Sequence, residues 1–477
     1  MDTMPITSRD ISIPRLLDAA DIHRPRYHFL PAANWMNDPN GVIHWQGRYH
    51  LFFQYNPDGA WHDNIHWGHA ISDDLVRWQE LPVAIAPSPN SPDRGGIFSG
   101  CMVDDAGRPT AFYTGVNDDY TVQVQCLARG SDDLMRWQKH PGNPVISDVP
   151  PSMGQIRDFR DPFVWRGESC WYMALASHIV GVGGAVLLYR SQNLSDWQYA
   201  HPLYVGEKAR NGRNFECPNF FPLGDKWVLI LSAQLDHSPA QTLYFVGRLE
   251  NERFTPEHEA VYDAGCSYAS LCGRDAHGGM LIYSWLREGR GKAAQREAGW
   301  TGVQAVPRLL SLDAQNRLVS QPVAALQTLR GAHSHYSAGE VAEGSLSARG
   351  LSLDIEAVFD AEIAASCGLE VALSPDGSEK ASIVYDSETQ TLQVKRQYRG
   401  EQTELESETQ GIPHRLDAGE TLQLRVLLDG SVIEVIANGR ARITSRFYVS
   451  DAANDGLNVL APEALARLDV WQLSSIW

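Results

Sequence analysis

Along most of the chain, short apolar runs alternate with polar positions at a period of two, and polar turns punctuate them. Segments such as HWGHAIS, VQCLARGS and AVLLYRS read as strands, while few stretches of Ala, Leu, Glu and Lys run at helical period. One pattern recurs. SDDLVRWQ occupies 72–79, SDDLMRWQ 131–138 and SQNLSDWQ 191–198, so that Trp78, Trp137 and Trp197 stand 59 and 60 residues apart. Each copy follows an alternating run and precedes another extended segment, which predicts a strand, a polar turn and a strand opened by a buried Trp. A period of about 60 residues suits a four-stranded antiparallel sheet with its loops, and radial repetition of such sheets is a β-propeller. Solenoid repeats, at roughly 20 to 45 residues, are shorter. The repeat starts near Arg26 and ends near Gln321, room for about five blades.

From about Tyr336 the pattern changes to LSLDIEAVF, GLEVAL, ASIVYD, TLQVKRQ, TLQLRVLLD and SVIEVIAN, separated by Asp-Gly, Asn-Gly and Glu/Gln-rich turns. This predicts an antiparallel β-sandwich of ~140 residues. The predicted organisation is therefore all-β: an N-terminal segment over 1–25, a five-bladed β-propeller over 26–322, a linker over 323–335 and a C-terminal β-sandwich over 336–477.

Composition narrows the partners. Forty Gly, 26 Pro and 14 Trp agree with turns and strands, and the net charge of −18 argues against nucleic acid or an anionic membrane, either of which needs a basic patch. No run approaches ~18 apolar residues and the first 25 positions lack a signal-peptide core, so a cytoplasmic protein is expected. A homo-oligomer is left open. Seven cysteines, an odd number without a C-x-x-C pair, suggest free thiols. His66 and His69 have no third ligand at a familiar zinc spacing, so no metal is expected.

The chemistry comes from register. WMNDPNG, Trp35 to Gly41, is by itself an ordinary turn in which Asp38 caps its own backbone. In a propeller, however, the innermost strand of each blade lines the central channel, so equivalent positions converge. Between 19 and 24 residues after each repeat Trp stand GGIFSGC with Phe98 and Ser99, FRDPFVW with Arg160 and Asp161, and FECPNFF with Glu216. DAGCSYAS, with Asp263 and Tyr268, holds the fifth place. Asp38, Ser99, Asp161, Glu216 and Tyr268 are then 61, 62, 55 and 52 residues apart. Three acids meeting at one channel mouth are costly and push at least one pKa upward, a feature of catalysis or ligand binding. A protonated carboxylic acid beside an ionised carboxylate is what glycoside hydrolysis uses. Trp35, Trp61 and Phe98 would offer flat surfaces to a sugar ring, while Trp67 reads as core. Calcium is the competing use of clustered carboxylates, weakened by the lack of a D-x-D-x-D run.

These residues resemble glycoside hydrolase family 32, the β-fructofuranosidases or invertases. WMNDPNG, FQYNP (53–57), HWGHAISDDLVRW, FSG (98–100), RDP (160–162) and ECP (216–218) occur in that family's order, followed by GWTGVQAVPRLLSL (299–312) and, more loosely, DGSVIEVIANG (429–439). The resemblance implies a five-bladed propeller, a β-sandwich and a retaining double displacement. It makes Asp38 the nucleophile on a terminal fructofuranosyl unit, Glu216 the acid/base and Asp161 the transition-state stabiliser. It also implies substrate contacts at Trp35, Asn37, Gln54, Trp61, Phe98, Ser99, Arg160, Cys217, Tyr268 and Trp285, a small sugar as partner, and no cofactor. The chain reads FSGC where the family often has FSGS and SYASL where it often has FYAPQ, and the run around Trp61 is a residue longer than expected. The sandwich is expected to pack against the propeller without a catalytic role. Sucrose and short β-fructosides are the expected substrates. Sucrose 6-phosphate is the rival, for which Arg287, Arg290 and Lys292 are the candidate cations; fructan hydrolysis, fructosyl transfer and a non-catalytic sugar-binding propeller complete the alternatives.

Overall fold

A computed structural model describes residues 21–151, 158–236, 239–342, 346–400 and 404–477. Most of the segment expected at 1–25 lies outside these. The chain between 34 and 322 forms five antiparallel sheets laid down in sequence order. The first comprises β1 (Asn34–Trp45), β2 (Arg48–Asn56), β3 (His66–Ser72) and β4 (Trp78–Ile85), and the second β5 (Gly96–Asp104), β6 (Pro109–Val116), β7 (Gln123–Gly130) and β8 (Trp137–Lys139). The third comprises β9 (Arg160–Arg166), β10 (Trp171–Ile179), β11 (Gly183–Ser191) and β12 (Trp197–Val205), and the fourth β13 (Asn214–Leu223), β14 (Lys226–Gln234), β15 (Gln241–Glu250) and β16 (Arg253–Asp263). The fifth holds β17 (Ser267–Arg274) and β18 (Met280–Leu286). After a short β19 (Trp300–Thr301) and β20 (Val303–Gln304), it is completed by β21 (Arg308–Leu312) and β22 (Leu318–Pro322).

The first strands touch in a ring, β1 to β5, β5 to β9, β9 to β13, β13 to β17 and β17 to β1. The sheets therefore radiate from a common axis. The ring is tied shut by β19, which pairs in parallel with β1 through Asn34–Trp300 and Trp35–Thr301. Inner strands are covered on both faces by neighbouring sheets, so β11 is buried at all but one position, whereas the outer β12 is mostly half-buried.

The repeated motif is the turn between the third and fourth strands. Leu75, Leu134 and Leu194 adopt positive φ, and Asp74 or its equivalents bond the turn's backbone and the Ser hydroxyl. In each turn the Trp indole N–H donates to that leucine's carbonyl, at 3.2, 3.0 and 2.9 Å. Only Trp78 is buried. Trp137 and Trp197, at the rims of their sheets, are half-buried, whereas Trp78 is covered by Phe29 and Tyr283.

The remaining chain forms a six-stranded and a five-stranded antiparallel sheet enclosing a second apolar core. The alternation of Lys380–Asp386 and Thr391–Gln397 is that of sheets with one solvated face. Arg330–Tyr336, in the stretch expected to be a linker, pairs with Leu465–Leu473 at the edge of the six-stranded sheet, and a 3-10 helix at Ala324–Leu329 leads into it. The two parts are locked by buried charges. The Asp429 carboxylate accepts the backbone N–H groups of Arg26, Tyr27 and His28 at 2.7, 2.8 and 2.8 Å, and His28 bridges Asp429 and Glu434 at 2.9 Å on each side. Glu434 also pairs with Arg308. Burial opposes a charge on His28, but the two carboxylates overcome it and raise its pKa to about 9.

Candidate active site

Every first strand carries a register shift near the same end: between Met36 and Pro39, Ile97 and Gly100, Arg160 and Phe163, Glu216 and Asn219, and Tyr268 and Leu271. A bulge frees side chains from the ladder and re-aims them. Here the freed or flanking positions are Asn37 and Asp38, Phe98 and Ser99, Asp161, Glu216 and Cys217, and Tyr268. Asp161, Cys217 and Ala269 hold positive φ in three successive sheets, a strained conformation for residues with a Cβ. Asparagines staple these bulges together. Asn40 donates to the Asp38 carbonyl and accepts from the Gly100 N–H, both at 3.1 Å, and Asn219 likewise joins Cys217, Ser270 and Cys272.

The bulges border a cavity of about 380 Å³. Trp35, Asn37, Asp38, Gln54, Phe98, Arg160, Asp161, Glu216, Cys217, Tyr268 and Trp285 line it, all of them predicted from sequence. Ser99 sits just beneath, 3% exposed. Trp61 is not in the wall. Its ring lies against Gly59, with the Arg296 guanidinium 5.5 Å from its centroid, and His62 lines the cavity instead. Tyr120, Gln123 and Asp158 also line the site and were missed; Gln123 and Asp158 carry no motif, and their signal is only that both bond Arg160. Asp263, expected near the mouth, is instead fully buried and bonded to Thr444 of the sandwich. A larger cavity, about 990 Å³, opens at the opposite ends of the first strands, away from the acids.

Asp38 is held by four donors: Ser99 Oγ at 2.5 Å and Gln54 Nε2 at 3.4 Å on Oδ2, Asn37 Nδ2 at 3.0 Å on Oδ1, and Cys217 Sγ at 3.6 Å on Oδ2. Trp35 Nε1 orients Asn37 at 2.7 Å. Asp161 Oδ2 accepts the Cys217 backbone N–H at 2.8 Å, and Asp161 N–H donates to Thr114. Glu216 is clamped between Arg160 Nη2, at 2.7 Å on Oε1, and the Tyr268 hydroxyl on Oε2. Arg160 also pairs with Asp158.

These surroundings pull the acids apart. Burial, with Asp161 and Glu216 adding to it against the Ser99 hydrogen bond, pushes Asp38 up to about 7. Burial pushes Asp161 up to about 6 against the pull of Arg160. Burial would raise Glu216 too, but Arg160 and Tyr268 outweigh it and hold this carboxyl below its usual range. Near neutrality a proton in the free site therefore favours Asp38 over Glu216. Aromatic rings surround the mouth: Trp35 lies 6.0 Å from Trp285 and 5.6 Å from His62, and Phe98 5.2 Å from Tyr120. Trp67, fully buried, fixes the Phe98 carbonyl through its indole N–H.

The glycosyl hydrolases family 32 N-terminal domain matches residues 28–322, and the family 32 C-terminal domain matches 325–472. This chain belongs to glycosyl hydrolase family 32. As a family 32 member it is a glycoside hydrolase, a propeller joined to a β-sandwich. It is 30% identical over 511 residues to a levanase of Bacillus subtilis, covering 96% of this chain and 72% of that one. It is 32% identical over 456 residues to a sucrose-6-phosphate hydrolase of Zymomonas mobilis, covering 89% and 86%. Among solved structures, fructan 1-exohydrolase IIa from Cichorium intybus superposes with a TM-score of 0.83 at 25% identity over 95% of this chain and 98% of that one. Sucrose-6-phosphate hydrolase from Lactobacillus gasseri superposes with 0.84 at 25% identity, over 96% and 95%.

Proposed function

We propose that this family 32 enzyme is a retaining β-fructofuranosidase that releases terminal fructosyl units from sucrose and short β-fructosides. The convergence of Asp38, Asp161 and Glu216 from three different sheets on one aromatic-rimmed cavity carries this reading. The five sheets are the blades of a propeller over 26–322, and the sandwich takes in its edge strand from Arg330.

In the first step Asp38 attacks the anomeric carbon while Glu216 passes its proton to the leaving-group oxygen; the C–O bond to the leaving sugar breaks and a fructosyl ester forms. In the second, Glu216 takes a proton from water, which displaces Asp38. Asp161, fixed by the Cys217 N–H, receives fructosyl hydroxyls as positive charge grows on the ring. Catalysis needs Asp38 ionised and Glu216 protonated, the reverse of the distribution in the free site. Sugar hydroxyls donating to Asp38 and Asp161 favour their ionised forms, so binding moves the proton toward Glu216.

Sucrose 6-phosphate is the second reading, favoured by one feature. Lys292 and Arg296, on the segment that follows β18, have no carboxylate within salt-bridge distance among the described residues, whereas Arg290 is paired with Glu288 and Arg287 is committed to backbone carbonyls and the Tyr268 ring. Fructose release from equal concentrations of sucrose, sucrose 6-phosphate and a short inulin oligosaccharide separates these. Sucrose ahead supports the first reading, the phosphorylated sugar ahead the second, and no release from a folded protein overturns both.

A further inference from the structure

The Tyr268 hydroxyl bonds Glu216 Oε2, opposite Arg160 on Oε1, with Gln234 as a further side-chain partner of this carboxylate. What holds Tyr268 lies outside the cavity. The Arg287 guanidinium stacks 4.9 Å from the Tyr268 ring centroid. Its own donors are spent on backbone carbonyls: Nη2 on Ala240 at 3.0 Å and Gly265 at 3.3 Å, and Nε on Cys266 at 3.3 Å. A cation held by neutral carbonyls keeps its charge available to the ring it covers.

The loop that supplies two of those carbonyls is pinned to the sandwich. Ala264 N–H donates to Arg442 O at 3.1 Å and Cys266 N–H to Thr444 O at 2.7 Å. Asp263 accepts the Thr444 N–H at 3.0 Å and its hydroxyl at 2.7 Å. Gly265 approaches Thr444 so closely that a Cβ would lie 1.7 Å from its carbonyl oxygen. The contacts run without a break from the sandwich strand Ala441–Arg446 through Asp263–Cys266 and Arg287 to Tyr268 and Glu216.

We propose that Arg287 is a positioning residue for the acid/base, acting through Tyr268, and that the sandwich takes part in catalysis by holding Arg287 in place. This rests on the assignment of Glu216 as acid/base. Without the cation the phenol is a weaker and less directed donor, so Glu216 loses an anchor on Oε2 and binds its proton more tightly.

The test compares wild type with Arg287→Met, Arg287→Lys, Tyr268→Phe and Thr444→Val, reading kcat/KM against pH on sucrose and on an aryl β-fructoside whose leaving group needs no proton. Arg287→Met and Tyr268→Phe should both move the pH profile upward and slow sucrose roughly tenfold more than the aryl fructoside. Arg287→Lys should restore part of the loss, and Thr444→Val should shift the profile the same way by less. An unchanged profile with equal losses on both substrates, or a lowered melting temperature alone, would overturn the proposal. Should Arg287→Met not fold, Arg287→Lys and Tyr268→Phe still decide it. Wild type inactive on both substrates would instead remove the β-fructofuranosidase reading.

Discussion

The Ser99 hydroxyl donates to Oδ2 of Asp38 at 2.5 Å, across 61 residues of sequence and from the neighbouring sheet. It is the largest influence opposing the rise of the Asp38 pKa to about 7. Ser99→Ala removes a donor to the charged form, so the Asp38 pKa rises further and this carboxyl, the proposed nucleophile, is less ionised at neutral pH. A charged hydrogen bond of this kind is worth about 1.5 kcal/mol or more. The expected result is a loss of about tenfold in kcat/KM at pH 7, with the alkaline limb of the profile, near pH 7 in wild type, displaced upward.

Glu216→Gln keeps a side chain that can accept from Tyr268 but has no proton to give. Hydrolysis of sucrose should fall by roughly 10²- to 10⁴-fold, while the first step on an activated aryl fructoside survives. Burst kinetics on the aryl substrate check this; equal loss of the first step on both substrates would argue against the acid role.

How far the site could be read from sequence depended on which constraint each residue obeys. Asp38, Ser99, Asp161, Glu216 and Tyr268 sit at equivalent bulges of successive sheets, so a repeat marked by Trp78, Trp137 and Trp197 is enough to align them. His62 and Tyr120 lie on loops between the second and third strands of their sheets, where no repeat sets the register, so Trp61 was expected in the wall where His62 stands. Asp263 was named beside Tyr268 in the fifth segment, but its carboxylate is committed to Thr444 across the domain seam, a contact that no local pattern encodes. Arg330–Tyr336 is a strand only because Leu465–Leu473, more than a hundred residues on, pairs with it.

His62, with Trp35, Phe98 and Tyr120 around it at the mouth, should touch the leaving sugar and not the fructosyl ring held below. His62→Ala is expected to raise KM for sucrose severalfold and leave kcat on the aryl fructoside nearly unchanged. A fall in kcat on both, at constant KM, would place His62 at the reacting centre.

His28 couples the domain seam to pH. Its folded pKa of about 9 exceeds the ordinary 6.5, so its stabilising contribution is complete below about pH 6.5 and is lost as pH rises through 9. The full contribution is on the order of 3 kcal/mol. Thermal unfolding should therefore show a midpoint that falls between pH 7 and 10, and His28→Gln should lower the midpoint at pH 7 while flattening that fall. A wild-type midpoint independent of pH across this range would contradict the charged bridge.

The proposed mechanism turns on the covalent attachment of fructose to Asp38. In the Glu216→Gln variant mixed with an activated aryl β-fructoside, the first step proceeds and the second lacks its base, so the intermediate should accumulate. Rapid acid quench, proteolysis and peptide mass spectrometry should find a hexosyl increment on the peptide carrying Trp35 to Gly41, absent when Asp38→Asn is added. Release of the aryl group with the sugar on another peptide, or on none, would contradict Asp38 as the nucleophile.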